Sequence, residues 1–65
     1  MTEKNLKVRV RKAGGHFDIT FWTGRLGYTF ANIGTLTMGE SDMWLLVEIL
    51  SRDERVISIE REDLQ

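Results

Sequence analysis

The residues of this chain best suited to chemistry alternate along it. Lys7, Arg9 and Arg11 fall at every second position of one segment, and Thr20 and Trp22 at every second position of the next. Cations spaced two apart share one face of a strand, and a ring beside them offers a platform for an unpaired base. That combination of stacking surface and backbone-tracking charge is what single-stranded nucleic acid needs. Trp22 also has structural explanations: it covers the stem of Lys7 as a cross-strand pair, or it packs under a third strand. Other chemistries find little support. His16 is the sole histidine, stands beside Gly14-Gly15 and lacks a Ser or Cys arrangement, so it reads as a solvated turn residue. The chain has no cysteine, which excludes disulfides and thiolate metal sites. Gly24-Arg-Leu-Gly27 lacks the spacing of a phosphate-cradling loop. No enzymatic activity, metal or cofactor is expected.

Charge is unevenly spread. Residues 1–30 carry six cations against two carboxylates, a net of +4, whereas residues 31–65 carry three against eight, a net of −5. A basic half is a candidate footprint for nucleic acid, and an acidic half could repel it or dock a basic protein. The plainer reading is that the two halves attract each other.

The elements that must position these residues are legible from periodicity. Leu6, Val8 and Val10 alternate with Lys7, Arg9 and Arg11, and Phe17, Ile19 and Phe21 alternate with Asp18, Thr20 and Trp22. Both are the period of a half-buried strand. Gly14-Gly15 accepts the positive φ of a two-residue hairpin turn. That turn pairs Ala13 with His16, Val10 with Ile19, Arg9 with Thr20 and Lys7 with Trp22, and a slip of one residue would mix the two faces. Thr23-Gly24-Arg25 reads as the next turn, and Tyr28-Thr29-Phe30 as the start of a third strand. Ile33–Thr37 is a fourth short strand or a bulged continuation of the third, with a bend at Gly34.

A helix is expected from Glu40 to about Arg52. Thr37 and Glu40 have capping-box spacing, with Gly39 or Ser41 as alternative caps. Met43, Leu46, Val47 and Leu50 form one apolar stripe. Trp44, Leu45 and Ile49 add apolar surface outside it, which places Met43, Trp44, Leu45 and Ile49 at a subunit interface, unless the stripe is simply wide. Arg55–Glu60 reads as a last strand, followed by a charged tail that frays over 61–65.

Size points the same way as the helix. The chain has 65 residues, and one so short buries only about 60% of its unfolded surface. Its core supplies roughly 3–5 kcal/mol, so a homodimer is expected. No apolar run approaches the ~18 residues of a spanning helix, and the first residues do not form a signal-peptide pattern. A cytoplasmic protein without membrane contact is expected.

Val8-Arg-Val-Arg-Lys-Ala-Gly-Gly-His-Phe-Asp-Ile-Thr-Phe-Trp22 and Gly34-Thr-Leu-Thr-Met-Gly-Glu-Ser-Asp-Met-Trp-Leu-Leu-Val-Glu-Ile-Leu50 together resemble the positive-cofactor-four family of single-stranded DNA-binding transcriptional coactivators. The first stretch is similar to that family's opening hairpin, the second to its Gly-bearing strand and apolar helix. The resemblance covers about residues 6–52. It implies a dimer with its helices at the interface and its sheets forming grooves for unpaired DNA. By position the groove contacts would be Lys7, Arg9, Arg11 and Trp22, and less directly Lys12 and Arg25. The strand after the helix and the acidic overall charge depart from the family's pattern.

The expected architecture is thus a single α+β domain over 1–65. An antiparallel sheet, made of the hairpin and one or two further strands, packs on a single amphipathic helix, with a short strand after it. The expected function is binding of single-stranded DNA or RNA by a homodimer. The rival is a small protein-binding module, such as a phage-type inhibitor docking on a host protein, suggested by the small size, the acidic second half and the apolar helix.

Overall fold

Strict alternation makes strands of Leu6–Ala13 (β1) and His16–Thr23 (β2), and Gly14, at φ +64°, makes the turn between them. The computed structural model describes residues 4–25 and 27–62. β1 and β2 pair antiparallel in the register that the turn dictates, with Lys7 opposite Trp22, Arg9 opposite Thr20 and Val10 opposite Ile19. Ala31–Met38 (β3) lies antiparallel on the other side of β2. It is one strand, not two, and it starts after Tyr28 and Phe30. Its register slips between Phe21 and Trp22, so that Ile33 is an extra residue in a β-bulge. Gly34 follows at φ +149°, a conformation open to glycine and strained for any other residue.

The helix α1 runs over Glu40–Ser51 with Gly39 as N-cap and Arg52 as C-cap. No side chain caps its first turn. Thr37 is still in β3, where its hydroxyl donates to Asp18 Oδ1 at 3.0 Å. Glu40 and Asp42 stand in the first turn, where the helix dipole favours acids.

Val56–Glu62 (β4) completes a four-stranded sheet of order β3-β2-β1-β4. β4 runs parallel to β1, a pairing that requires a crossover, and α1 supplies it. The result is the expected α+β fold with a single helix, its antiparallel three-stranded part extended by a parallel fourth strand. Arg61 and Glu62, expected in a frayed tail, are the last residues of β4; positions 63–65 lie outside the described residues. No helix among the described residues is long and apolar enough to cross a membrane.

The core lies between α1 and one face of the sheet. Val8, Val10, Phe17, Ile19, Met43, Val47 and Val56 are buried there, with Leu6, Phe21, Met38, Leu46, Leu50 and Ile59 packed around them. Met43 is 0% exposed. It therefore belongs to the chain's own core and not to a subunit interface, whereas Trp44, Leu45 and Ile49 remain exposed. The stripe had placed Met43 on the correct helix face; the sheet beneath has simply used it up.

Two outcomes follow for stability. Met43→Ala removes a fully buried side chain, a change that costs about 2–5 kcal/mol. Against a core of roughly 3–5 kcal/mol, the variant should be largely unfolded by far-ultraviolet circular dichroism at 25 °C. The second concerns Asp53, in the turn before β4. Its carboxylate accepts from Arg55 Nη2 at 2.9 Å, from Nε at 3.2 Å and from the Arg55 backbone N–H at 2.9 Å. These bonds pull its pKa from 3.8 to about 2, the side-chain bonds contributing most. A depressed carboxylate stabilises the fold above its unfolded pKa and loses that contribution as pH falls through the folded one. Melting temperature should therefore fall between pH 4 and pH 2, and fall less steeply in Asp53→Asn.

Candidate nucleic-acid interface

The face of the sheet turned away from α1 carries the residues with chemistry. Strand parity sends Lys7, Arg9 and Arg11 of β1 there, and the register sets Trp22, Thr20 and Asp18 of β2 opposite them. The expected grouping of Lys7, Arg9, Arg11, Thr20 and Trp22 on one face is what the pairing produces. Lys12 is the exception. It pairs with Phe17 and so belongs to the helix side of the sheet, where it cannot extend the basic row. Arg25 lies in the loop between β2 and β3, its carbonyl accepting from the Tyr28 N–H at 3.0 Å. His16 begins β2, with its imidazole 3.7 Å from Asp18 Oδ1.

Two of the cations lie over aromatic rings. The Arg9 guanidinium carbon is 5.1 Å from the centroid of Trp22, and Lys7 Nζ is 4.3 Å from that of Phe30. Both contacts are in cation–π range. Trp22 thus does cover a basic neighbour, although the neighbour is the diagonal Arg9 and not the directly opposite Lys7. The rings, the two cations, Ser58 and Glu60 line a cavity of about 280 Å³. Phe30 enters it because the loop after β2 folds back. Gly24 permits this: a Cβ at that position would lie 3.0 Å from Phe30 Cγ and 3.1 Å from its Cα. Alternation alone had placed Phe30 in a strand; the crowding between Gly24 and Phe30 is a tertiary fact with no sequence signal.

β4 brings the opposite charge to the same face. The register sets Ser58 beside Lys7, Glu60 beside Arg9 and Glu62 beside Arg11. Arg9 Nε lies 3.4 Å from Glu60 and 3.5 Å from Glu62. The row of three cations therefore faces three carboxylates, Asp18, Glu60 and Glu62, and the face is close to neutral. The attraction between the two halves of the chain is realised here. Exposed pairs of this kind are worth about 0–1 kcal/mol each, so they orient Arg9 more than they stabilise the fold. Toward the other edge the face is uncharged: Thr20 and Thr35 hydroxyls lie 3.2 Å apart. Among the described residues no three acidic or imidazole side chains converge as metal ligands.

Gly24→Ala should crowd Phe30 and shift its ring over Lys7 by a few tenths of an ångström. The ring current of Phe30 shifts the Lys7 ε-methylene protons upfield, and that shift should change in Gly24→Ala and collapse in Phe30→Leu. An unchanged shift in Phe30→Leu would show that the ring does not sit over Lys7. No family model, curated protein or solved structure matches this chain.

Proposed function

We propose that this chain binds single-stranded nucleic acid, DNA or RNA, on the open face of its sheet, and that it does so as a homodimer acting by binding and not by catalysis. The observation that carries this reading is the aromatic cavity: Trp22 and Phe30 beside Arg9 and Lys7. Bases stack on such rings at about 1–3 kcal/mol each, whatever their identity, while neighbouring cations meet the backbone. The resemblance to the positive-cofactor-four family points the same way, with a role in transcription, and a cytoplasmic location fits it. The homodimer is supported by exposed apolar side chains on the helix, Trp44, Leu45 and Ile49, in a domain whose own core is small.

Glu60 and Glu62 favour a second reading. A nearly neutral face attracts phosphate weakly, and such a face with aromatic residues also suits a protein partner. The two readings differ in salt dependence. Each phosphate contact contributes about −0.7 to the log–log slope of single-strand affinity against salt, so Lys7, Arg9 and Arg11 together should give a slope near −2.

The test is a fluorescence-anisotropy titration with a labelled single-stranded oligonucleotide at several salt concentrations. Trp22→Ala should weaken binding by about 1–3 kcal/mol and leave the chain folded by circular dichroism, since Trp22 lies on the open face of the sheet and outside the hydrophobic core. Exchanging Glu60 and Glu62 together for Gln should tighten binding, because Arg9 then turns to phosphate without leaving a carboxylate. Wild-type affinity in Trp22→Ala, or salt-insensitive binding, would favour the protein-partner reading.

A further inference from the structure

The two edges of the sheet differ. β4 ends in Glu60-Arg61-Glu62, and charged side chains are a usual guard against another strand adding to an edge. β3, Ala-Asn-Ile-Gly-Thr-Leu-Thr-Met over Ala31–Met38, is eight residues long and has neither a charge nor a proline. Its one guard is the bulge at Ile33, which leaves residues 34–38 as a regular, unprotected edge. The apolar surface beside this edge is also uncovered. Leu36 pairs with the buried Ile19 and so lies on the helix side, yet it is 51% exposed, because α1 packs over β2 and β4. On the helix, Trp44 lies toward β4, with its ring 5.9 Å from Arg61. At about 100° per residue, Ile49 falls on the opposite flank, toward β3, with Leu45 next to it on the outer surface. Ile49 is 57% and Leu45 58% exposed.

We propose that a second copy of this chain docks on β3, edge to edge and antiparallel about a two-fold axis at Leu36. This rests on the dimer in the reading above, not on nucleic acid. Charge selects the occupant. In an isologous contact each patch meets itself, so a charged edge repels its own copy, whereas an uncharged one meets no penalty. An axis at Leu36 sets Leu36 against Leu36, Thr35 against Thr37 and Gly34 against Met38. Helix-side residues then meet helix-side residues, and every pair is neutral. One contact satisfies the edge backbone groups and covers Leu36 and the neighbouring flank of α1. It also joins two four-stranded sheets into one continuous open face, with the threonines at the seam and a cationic, aromatic cavity on each side.

The chain has no cysteine, which makes the test direct. Facing residues of an antiparallel pair have Cα atoms about 4.5–5.5 Å apart, within the roughly 4.4–6.8 Å that a disulfide spans. Leu36→Cys should therefore cross-link to a covalent dimer on mild oxidation with diamide, while Ser58→Cys, on the other edge, should form no covalent dimer. Leu36→Lys, a change tolerated at a half-exposed site, should sediment at 7.5 kDa with an unchanged circular dichroism spectrum, where the wild type sediments at twice that mass. The amides of residues 34–38 that point away from β2 should gain hydrogen-exchange protection as concentration rises. A wild-type monomer at high concentration overturns both this interface and the dimer. A wild-type dimer in which Leu36→Cys fails to cross-link and those edge-facing amides stay unprotected overturns the interface alone. Cross-linking of Leu36→Cys in a chain that binds no oligonucleotide supports the interface and removes only the nucleic-acid reading.

Discussion

β1 is hydrogen-bonded along both of its edges, antiparallel to β2 on one side and parallel to β4 on the other, and the rest of the domain follows from that. A central strand buries its apolar face most completely, and Val8 and Val10 are 1% and 0% exposed. The same residues fix the direction of their neighbours: if Val8 and Val10 point to the core, Lys7, Arg9 and Arg11 must point away. The direction of the basic row is therefore set by the strand whose other face forms the core. Only with β1 in the middle can the last strand of the chain reach the first.

That topology decides the electrostatics of the open face. Had β4 joined the sheet beside β3, its carboxylates would have lain three strands from Arg9, with β3 and β2 between. Beside β1 they lie within 3.4 and 3.5 Å of it. A chain with a +4 and a −5 half thus folds into a surface where cation and carboxylate alternate across adjacent strands. The aromatic cavity survives this neutralisation because stacking does not depend on net charge. On the proposed nucleic-acid reading, such a face would hold bases through Trp22 first and phosphate through Arg9 second.

Coverage of the sheet is incomplete for a geometric reason. α1 leaves the end of β3 after one residue, Gly39, and must return the chain to β4 at the far edge. A helix of twelve residues, about 18 Å long, packs over β2 and β4; it covers only the Met38 end of β3 and leaves Leu36 exposed. The exposed Leu36 and the exposed Ile49 are two consequences of one short connection, and both are surfaces that the proposed dimer would cover.

The hairpin and the helix were legible in the sequence because each rests on a local period, two for Leu6–Val10 and Phe17–Phe21 and three to four for Met43–Leu50, and the last strand was legible from its β-branched Val56, Ile57 and Ile59. Those periods, with the Gly14-Gly15 turn, determined by themselves the β1–β2 register and hence the company of Lys7, Arg9, Arg11, Thr20 and Trp22. Parity also contained the answer for Lys12, one step out of phase with Arg11, although its charge suggested otherwise. Only the tertiary structure decided the rest. That β4 pairs with β1, and so sets Glu60 and Glu62 against Arg9, is a choice among sheet edges that no local period encodes. That Phe30 enters the cavity depends on the absent side chain of Gly24, a contact between a loop and a strand end. The stripe Met43, Leu46, Val47 and Leu50 had already marked the face that α1 turns to the sheet; that the chain's own core uses up Met43 completely, leaving none of it for a subunit interface, depends on how closely the helix sets down on the strands, which no period encodes.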